Sequence, residues 1–264
     1  MYDFAYQKPG SLADAVAALS GDMDAKALAG GQTFIPVLKQ RLNKPSVVVD
    51  LAKLGLSGIS VAGDKVVIGA MTTHAVIASN AEIKAKIPGL QHQASLIGDE
   101  AVRHRGTMGG SLANNDPAAC YPSAVLALGG TIVTDRRRIA ADDFFQGMFT
   151  TALEQGEIIT SVELPIPQKS AYEKFRNPAS RYAIVGVFVA KFAGGVRLAI
   201  TGASQGGVFR HTEMETALSA NFSPDAIAGI VTPADGLNGD IHASAEYRAH
   251  LIGVVAKRAV AKAA

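Results

Sequence analysis

The residues of this chain best suited to chemistry are two glycine pairs, each followed by small hydrogen-bonding side chains. The first pair lies in Ala29-Gly30-Gly31-Gln32-Thr33-Phe34-Ile35-Pro36, the second in Thr107-Met108-Gly109-Gly110-Ser111-Leu112-Ala113-Asn114-Asn115. Glycine lets successive backbone N–H groups approach an anion with no Cβ in the way. Such groups in one turn form a concave donor nest, and a helix N-terminus behind it adds favourable partial charge. Two loops of this kind facing each other would hold a diphosphate, with Gln32, Thr33, Ser111 and Asn115 adding side-chain hydrogen bonds. Taken singly, each pair is also what an ordinary tight turn requires. Neither fits GxGxxG or the P-loop GxxxxGK[ST], which argues against a Rossmann site and against an ATPase. A third cluster, Gly202-Ala203-Ser204-Gln205-Gly206-Gly207, reads as a plain turn.

Other chemistries are poorly provided for. The one cysteine, Cys120, allows no intrachain disulfide, and the chain alone cannot supply the thiolates of an iron–sulfur cluster. The six histidines form no HxxxH or HxH pair, so spacing argues against zinc or non-haem iron. His74 reads as structural. Nothing resembles a Ser-His-Asp triad or a pair of hydrolytic carboxylates, and no catalytic side chain or metal ligand is assigned. Arg103-His104-Arg105, just before the second glycine pair, either supports the diphosphate or forms a solvated, subunit-facing turn. Arg136-Arg137-Arg138 reads as a solvated turn. A net charge of +2 with no dominant basic stripe does not point to nucleic acid.

These residues need a scaffold, and the composition can provide one. Hydrophobic residues make up 48% of the 264 and charged residues 18%, enough to bury a full core. The first fifty residues read as strand, helix, loop, helix, strand. Leu12, Ala15, Val16 and Leu19 share one helical face behind a Ser11 cap. Ala27-Leu28-Ala29 is a short strand running into Gly30-Gly31, and Ile35 to Leu42 resumes helical spacing. Strands are expected at Val47–Val49, Lys65–Ile68, Thr131–Thr134 and Glu157–Leu164, with helices at Thr73–Ser79, Gly89–Ile97 and Tyr121–Leu128. Gly106 to Asn115, rich in glycine and asparagine, reads as a loop. After the linker candidate Pro165-Ile166-Pro167, Ala183–Phe192 and Val196–Ile200 predict a hairpin across Gly194-Gly195. Ser223-Pro224 predicts a helix start, and Ser244–Lys262 a long closing helix. No apolar run approaches the roughly 18–20 residues of a membrane span, and Met1-Tyr2-Asp3-Phe4 opens no secretory leader. The expectation is a soluble, cytoplasmic protein.

The two glycine motifs together resemble the paired diphosphate loops, AGGQS and TIGGS, of the FAD-binding medium subunit of molybdenum hydroxylases, the carbon monoxide dehydrogenase and xanthine dehydrogenase type. Gly110-Ser111-Leu112-Ala113-Asn114-Asn115-Asp116-Pro117-Ala118-Ala119 is similar to the same family. So are Val49-Asp50-Leu51, Ile68-Gly69-Ala70-Met71-Thr72-Thr73, Glu157-Ile158-Ile159, Lys174-Phe175-Arg176 and Ala245-Glu246-Tyr247-Arg248-Ala249-His250-Leu251. The resemblance covers nearly the whole chain in order. It implies an α+β fold: an FAD-binding domain of the vanillyl-alcohol-oxidase (PCMH) type in two subdomains, residues 1–55 and 56–165. A smaller C-terminal α+β domain of sheet plus helices would follow at 170–264.

The resemblance also implies roles. Ala29, Gly30, Gly31, Gln32, Thr33, Phe34, Ile35 and Pro36, with Thr107, Met108, Gly109, Gly110 and Ser111, would grip the FAD diphosphate. Ile97 and Ile159 match apolar positions beside the cofactor, and Lys174 a lysine reaching the flavin region. Cys120 stands where the family usually has an aspartate that contacts FAD. A thiol is a weak donor and acceptor, so that contact is lost or replaced by water. Tyr121, Phe34 and Tyr182 are candidates to flank the flavin ring. Partners implied are a molybdopterin-binding large subunit and a small [2Fe–2S] subunit, in a dimer of heterotrimers. A stand-alone FAD oxidoreductase and a flavin-free scaffold remain as alternatives.

Overall fold

A computed structural model describes Met1 to Ala263; Ala264 lies outside the described residues. The chain opens with β1 (Ala5–Gln7), α1 (Leu12–Ser20), β2 (Lys26–Leu28), α2 (Phe34–Lys39) and β3 (Val47–Asp50). The Ser11 side chain caps α1 by accepting from the Asp14 amide, as the sequence predicts. The three strands form a parallel sheet in the order β1-β3-β2. Ala15 and Leu19 of α1 pack with Val49, Leu51 and Ile158 in a small core.

The next stretch holds β4 (Ile59–Ala62), β5 (Lys65–Gly69), α3 (His74–Ser79), α4 (Ala81–Lys86), α5 (Pro88–Ser95), α6 (Glu100–Arg105), α7 (Met108–Asn114) and α8 (Tyr121–Ala127). It continues through β6 (Thr131–Thr134), β7 (Arg138–Ala140), α9 (Ala141–Phe144), β8 (Phe145–Gly147), β9 (Thr150–Thr151) and β10 (Ile159–Pro165). Its main sheet runs β4-β5-β10-β6-β7. β10 is central, pairing antiparallel with β5 on one side and β6 on the other. That pairing closes a long excursion that contains the helices α3 to α9, and of these α7 packs against both β5 and β10.

The last stretch is β11 (Lys169–Arg176), β12 (Ala183–Phe192), β13 (Gly195–Thr201), β14 (Phe209–Arg210), α10 (Thr212–Ala220) and α11 (Ala245–Ala263). The strands form one antiparallel sheet in sequence order. The expected hairpin is β12–β13. Its apolar run is continuous because both faces are covered: Phe188 and Ala190 pack toward the helices of the preceding stretch, Val185, Val187 and Val189 toward α10 and α11. β11 lies against α5, which brings Lys174 to the same region as the glycine motifs.

Three expectations fail locally. Gly106 to Asn115 is not a loop: α7 occupies most of it, with Thr107 as N-cap and Asn115 left-handed at the C-terminus. Gly109, Gly110 and Asn114 are poor helix formers, but buried Met108 and Leu112 anchor the helix. Ser223-Pro224 starts only a single 3-10 turn, Pro224–Ile227. The arginine run is not merely solvated. Arg136 reaches Asp135 and Glu154, Arg137 pairs with buried Glu157, and Arg138 with Glu163.

Candidate functional site

The two glycine motifs meet. A Cβ on Gly30 would fall 2.0 Å from the Arg105 carbonyl oxygen and 2.8 Å from Gly106 Cα. Gly30 is therefore a close-approach residue that seats the first motif on the backbone leading into the second. Gly31, at φ +74°, turns the chain from β2 into α2 through the left-handed region that glycine tolerates best. A Cβ on Gly110 would meet the Thr107 hydroxyl of its own motif at 2.9 Å and Ala29 Cβ across the seam at 3.4 Å, an ordinary contact. Gly109 is held against Ala70 instead, where a Cβ would come 2.6 Å from another Cβ.

The two motifs differ in what they can offer an anion. Among the described residues none of the amides of Gly31, Gln32, Thr33 and Phe34 donates to a protein acceptor, and Thr33 caps α2 with no side-chain bond. Four successive free N–H groups on the wall of a cavity are the donor nest the sequence predicts. In the second motif the corresponding amides are already engaged. Met108 N donates to Thr72 O, Gly109 N to Ala70 O, and Gly110 N to the Thr107 hydroxyl. The second motif is thus a close-packed wall rather than a second nest, because α7 grows out of an antiparallel bridge between Thr107 and Thr73.

Between the motifs and β11 lies a cavity of about 660 Å³, within the size range of cofactor sites. Ala29 through Phe34, Thr107, Gly109, Gly110 and Ser111 line it, as do Ile97, Ile159, Cys120 and Lys174. Four expected residues do not. Ile35 packs beneath Gly31, and Pro36 lies further along α2. Met108 is wholly buried in the core. Asn115 turns its amide away, donating to Gly147 O at 2.7 Å and Thr150 O at 2.8 Å, so it braces the β8–β9 hairpin. Of the three aromatic candidates, Phe34 and Tyr182 reach the cavity. Tyr121 is buried, edge-on to His74. Arg103, His104 and Arg105 are off the wall, although Arg103 braces it by donating to the carbonyls of Ile97 and Gly98.

The cavity's charge is asymmetric. Glu154 and Glu157 on its wall are paired with Arg136 and Arg137. Hydrogen bonds from Arg137, reinforced by the Glu154 amide and Thr134, hold Glu157 down at about 2. Lys26, Lys174 and Arg181 also face the cavity, and no ion pair joins any of them to a carboxylate among the described residues. His74, at the floor, is pushed down to about 4 by burial and by the Arg103 charge, so it stays neutral at pH 7. Sequence reasoning did not pick out Lys26, Arg181 or His74 as wall residues, because none lies in a quoted motif, and it singled out Ile159 but not Glu157 within Glu157-Ile158-Ile159.

The donor set fits an FAD-sized dinucleotide. It has a nest for a doubly charged linker, apolar walls at Ile97, Ile159 and Phe34, and unpaired cations with two of the three wall carboxylates neutralised. Comparison with known proteins points the same way. Residues 2–167 match the family described as the FAD binding domain in molybdopterin dehydrogenase. The chain is 37% identical to the nicotine 6-hydroxylase medium subunit of Paenarthrobacter nicotinovorans, covering 98% of this chain and 96% of that protein. It is 36% identical to the carbon monoxide dehydrogenase medium chain of Afipia carboxidovorans, again over 98% and 96%. The solved CO dehydrogenase from Oligotropha carboxidovorans superposes with a TM-score of 0.90 at 33% identity, over 99% of this chain and 98% of that one.

Proposed function

From the premise that this chain belongs to the FAD-binding family of molybdopterin dehydrogenases, we propose that it is the electron-transfer flavin subunit of a heterotrimeric molybdenum hydroxylase. The observation that carries this reading is the row of four free amides from Gly31 to Phe34, on the wall of a cavity that the second glycine motif closes. FAD, when bound, supplies the exchange between one-electron and two-electron transfer. The chain's own work is to bind, orient and insulate. The amides of 31–34 hold the diphosphate, with side-chain help from Gln32, Thr33 and Ser111. The Cβ-free surface of Gly30 keeps the two walls close. Ile97, Ile159 and Phe34 exclude water from the cofactor, and Lys174 and Arg181 give it a positive environment.

A single cysteine cannot hold the clusters that feed such a flavin, so they are assigned to a small [2Fe–2S] partner. Substrate oxidation is assigned to a molybdopterin-binding large subunit. The external acceptor takes electrons from FAD here. In this reading residues 1–55 and 56–165 are the two FAD-binding subdomains, and 170–264 the C-terminal domain. The complex is a cytoplasmic dimer of heterotrimers. No helix among the described residues is long and apolar enough to cross a membrane.

Purification from the native host under non-denaturing conditions tests the assignment. The expected preparation has three subunits, flavin absorbance, iron and molybdenum in fixed ratio. A chain that purifies alone with flavin and turns over a substrate would make it a stand-alone oxidoreductase. A complex with metals but no flavin would make it a scaffold.

A further inference from the structure

Lys174 on β11 is a cation on the cavity wall that ties three separate wall segments together. Its Nζ donates to Leu96 O at 2.7 Å, at the end of α5, and to Arg181 O at 3.0 Å, in the turn before β12. It also approaches Cys120 Sγ at 3.5 Å, at the start of α8. Two of the partners are backbone carbonyls and the third is a sulfur, and no carboxylate lies within ion-pair distance among the described residues. The wall carboxylates Glu154 and Glu157 are taken by arginines, and Asp116 folds back to accept the Ala118 amide. The remaining charges that face the cavity, Lys26 and Arg181, are also positive. Cys120 sits where a carboxylate would cancel Lys174. A thiol of similar size cannot.

Resting on the flavin reading above, we propose that Lys174 is a redox-setting residue. Its ammonium, held on the wall by Leu96 O and Arg181 O with no carboxylate beside it, favours the more negative, reduced state of the bound flavin and raises its reduction potential. The diphosphate is assigned to the wall made by the first two sheets, so the groups on the third sheet face the cofactor beyond it. A buried cavity filled by a ligand has little water to screen the interaction, and the effective dielectric is about 20 rather than 80. Lys174 thus has two separable roles. As a clip it joins Leu96, Arg181 and Cys120, and as a charge it acts on the flavin. A merely structural role would not move the potential.

The test uses the flavin-loaded complex with four variants: K174M, K174R, C120D and C120S. Flavin content is measured first, and then the midpoint potential by dye-equilibrated titration followed in the flavin bands. K174M and C120D should each shift the ratio of reduced to oxidised flavin at fixed potential at least tenfold toward oxidised. That corresponds to about 30 mV in a two-electron couple. K174R and C120S, which keep the charge pattern, should stay with wild type. If K174M sheds its flavin because the clip is lost, C120D against C120S decides alone. The proposal is overturned if C120D, at full flavin occupancy, keeps the wild-type potential, or if the four potentials follow melting temperature instead of charge. Wild-type complex without flavin would overturn the functional reading as well, and flavin content shows which has failed.

Discussion

Replacing Gly30 by alanine puts one methyl group into the joint between the two glycine motifs. The added carbon meets main-chain atoms at 2.0 and 2.7 Å on Arg105 and at 2.8 Å on Gly106. Neither can swing aside. Gly106 N is held by Val102 O at 2.7 Å, and Gly106 O accepts from His74 N at 3.0 Å. The first motif must therefore retreat by more than an ångström. Overpacking of this kind costs about 1–3 kcal/mol of stability. The displaced turn leads directly into the four free amides, so a diphosphate loses at least one hydrogen bond to a charged oxygen, about 1.5–3 kcal/mol. That is a roughly 10- to 150-fold weaker affinity for FAD. Fluorescence titration of deflavinated protein gives the affinity, and urea unfolding of the apo form gives the stability. Gly10→Ala is the control, since a Cβ there meets nothing within 4 Å. Gly30→Ala with wild-type FAD affinity and wild-type unfolding would refute the reasoning that the motifs are seated on each other.

Gly253 lies inside α11 with nothing within 4 Å of an added Cβ, so Gly253→Ala should stabilise by about 0.5–1 kcal/mol in urea unfolding. Asn115→Ala removes two hydrogen bonds to the β8–β9 hairpin and leaves a non-glycine residue at φ 42°; a loss of about 2–3 kcal/mol is expected by the same assay. His74 has a folded-state value of about 4 against 6.5 in the unfolded chain, so its contribution is fully present above pH 6.5 and is lost as pH falls toward 4. The size is on the order of 3 kcal/mol, and His74→Gln should flatten stability against pH over that window. Glu157, depressed to about 2, adds its own loss below pH 4.5 with the same sign.

What was legible in the sequence was local. The strand–Gly-Gly–helix motif at 28–35 and the β12–β13 hairpin each carry their signal within a few residues, and both appear where expected. The resemblance to a flavoprotein family rested on short runs in order and held over the full chain. What escaped was decided across the fold. α7 forms in spite of Gly109-Gly110 and Asn114 because Thr72 and Ala70 accept its first amides. The same bonds occupy the amides of Met108 and Gly109, which no reading of TMGGS alone could foresee. Arg137 reads as a solvated cation until β6 and β10 pair and bring Glu157 beneath it. Gly30 reads as an anion-binding glycine, yet its missing side chain makes room for Arg105 and Gly106.

A crystal structure of the flavin-loaded chain puts the whole account at risk in one step. Diphosphate oxygens should lie within hydrogen-bond distance of the Gly31–Phe34 amides, with Gly110 across the seam and Lys174 beyond it. A diphosphate bound elsewhere, with those four amides facing only solvent, would contradict it.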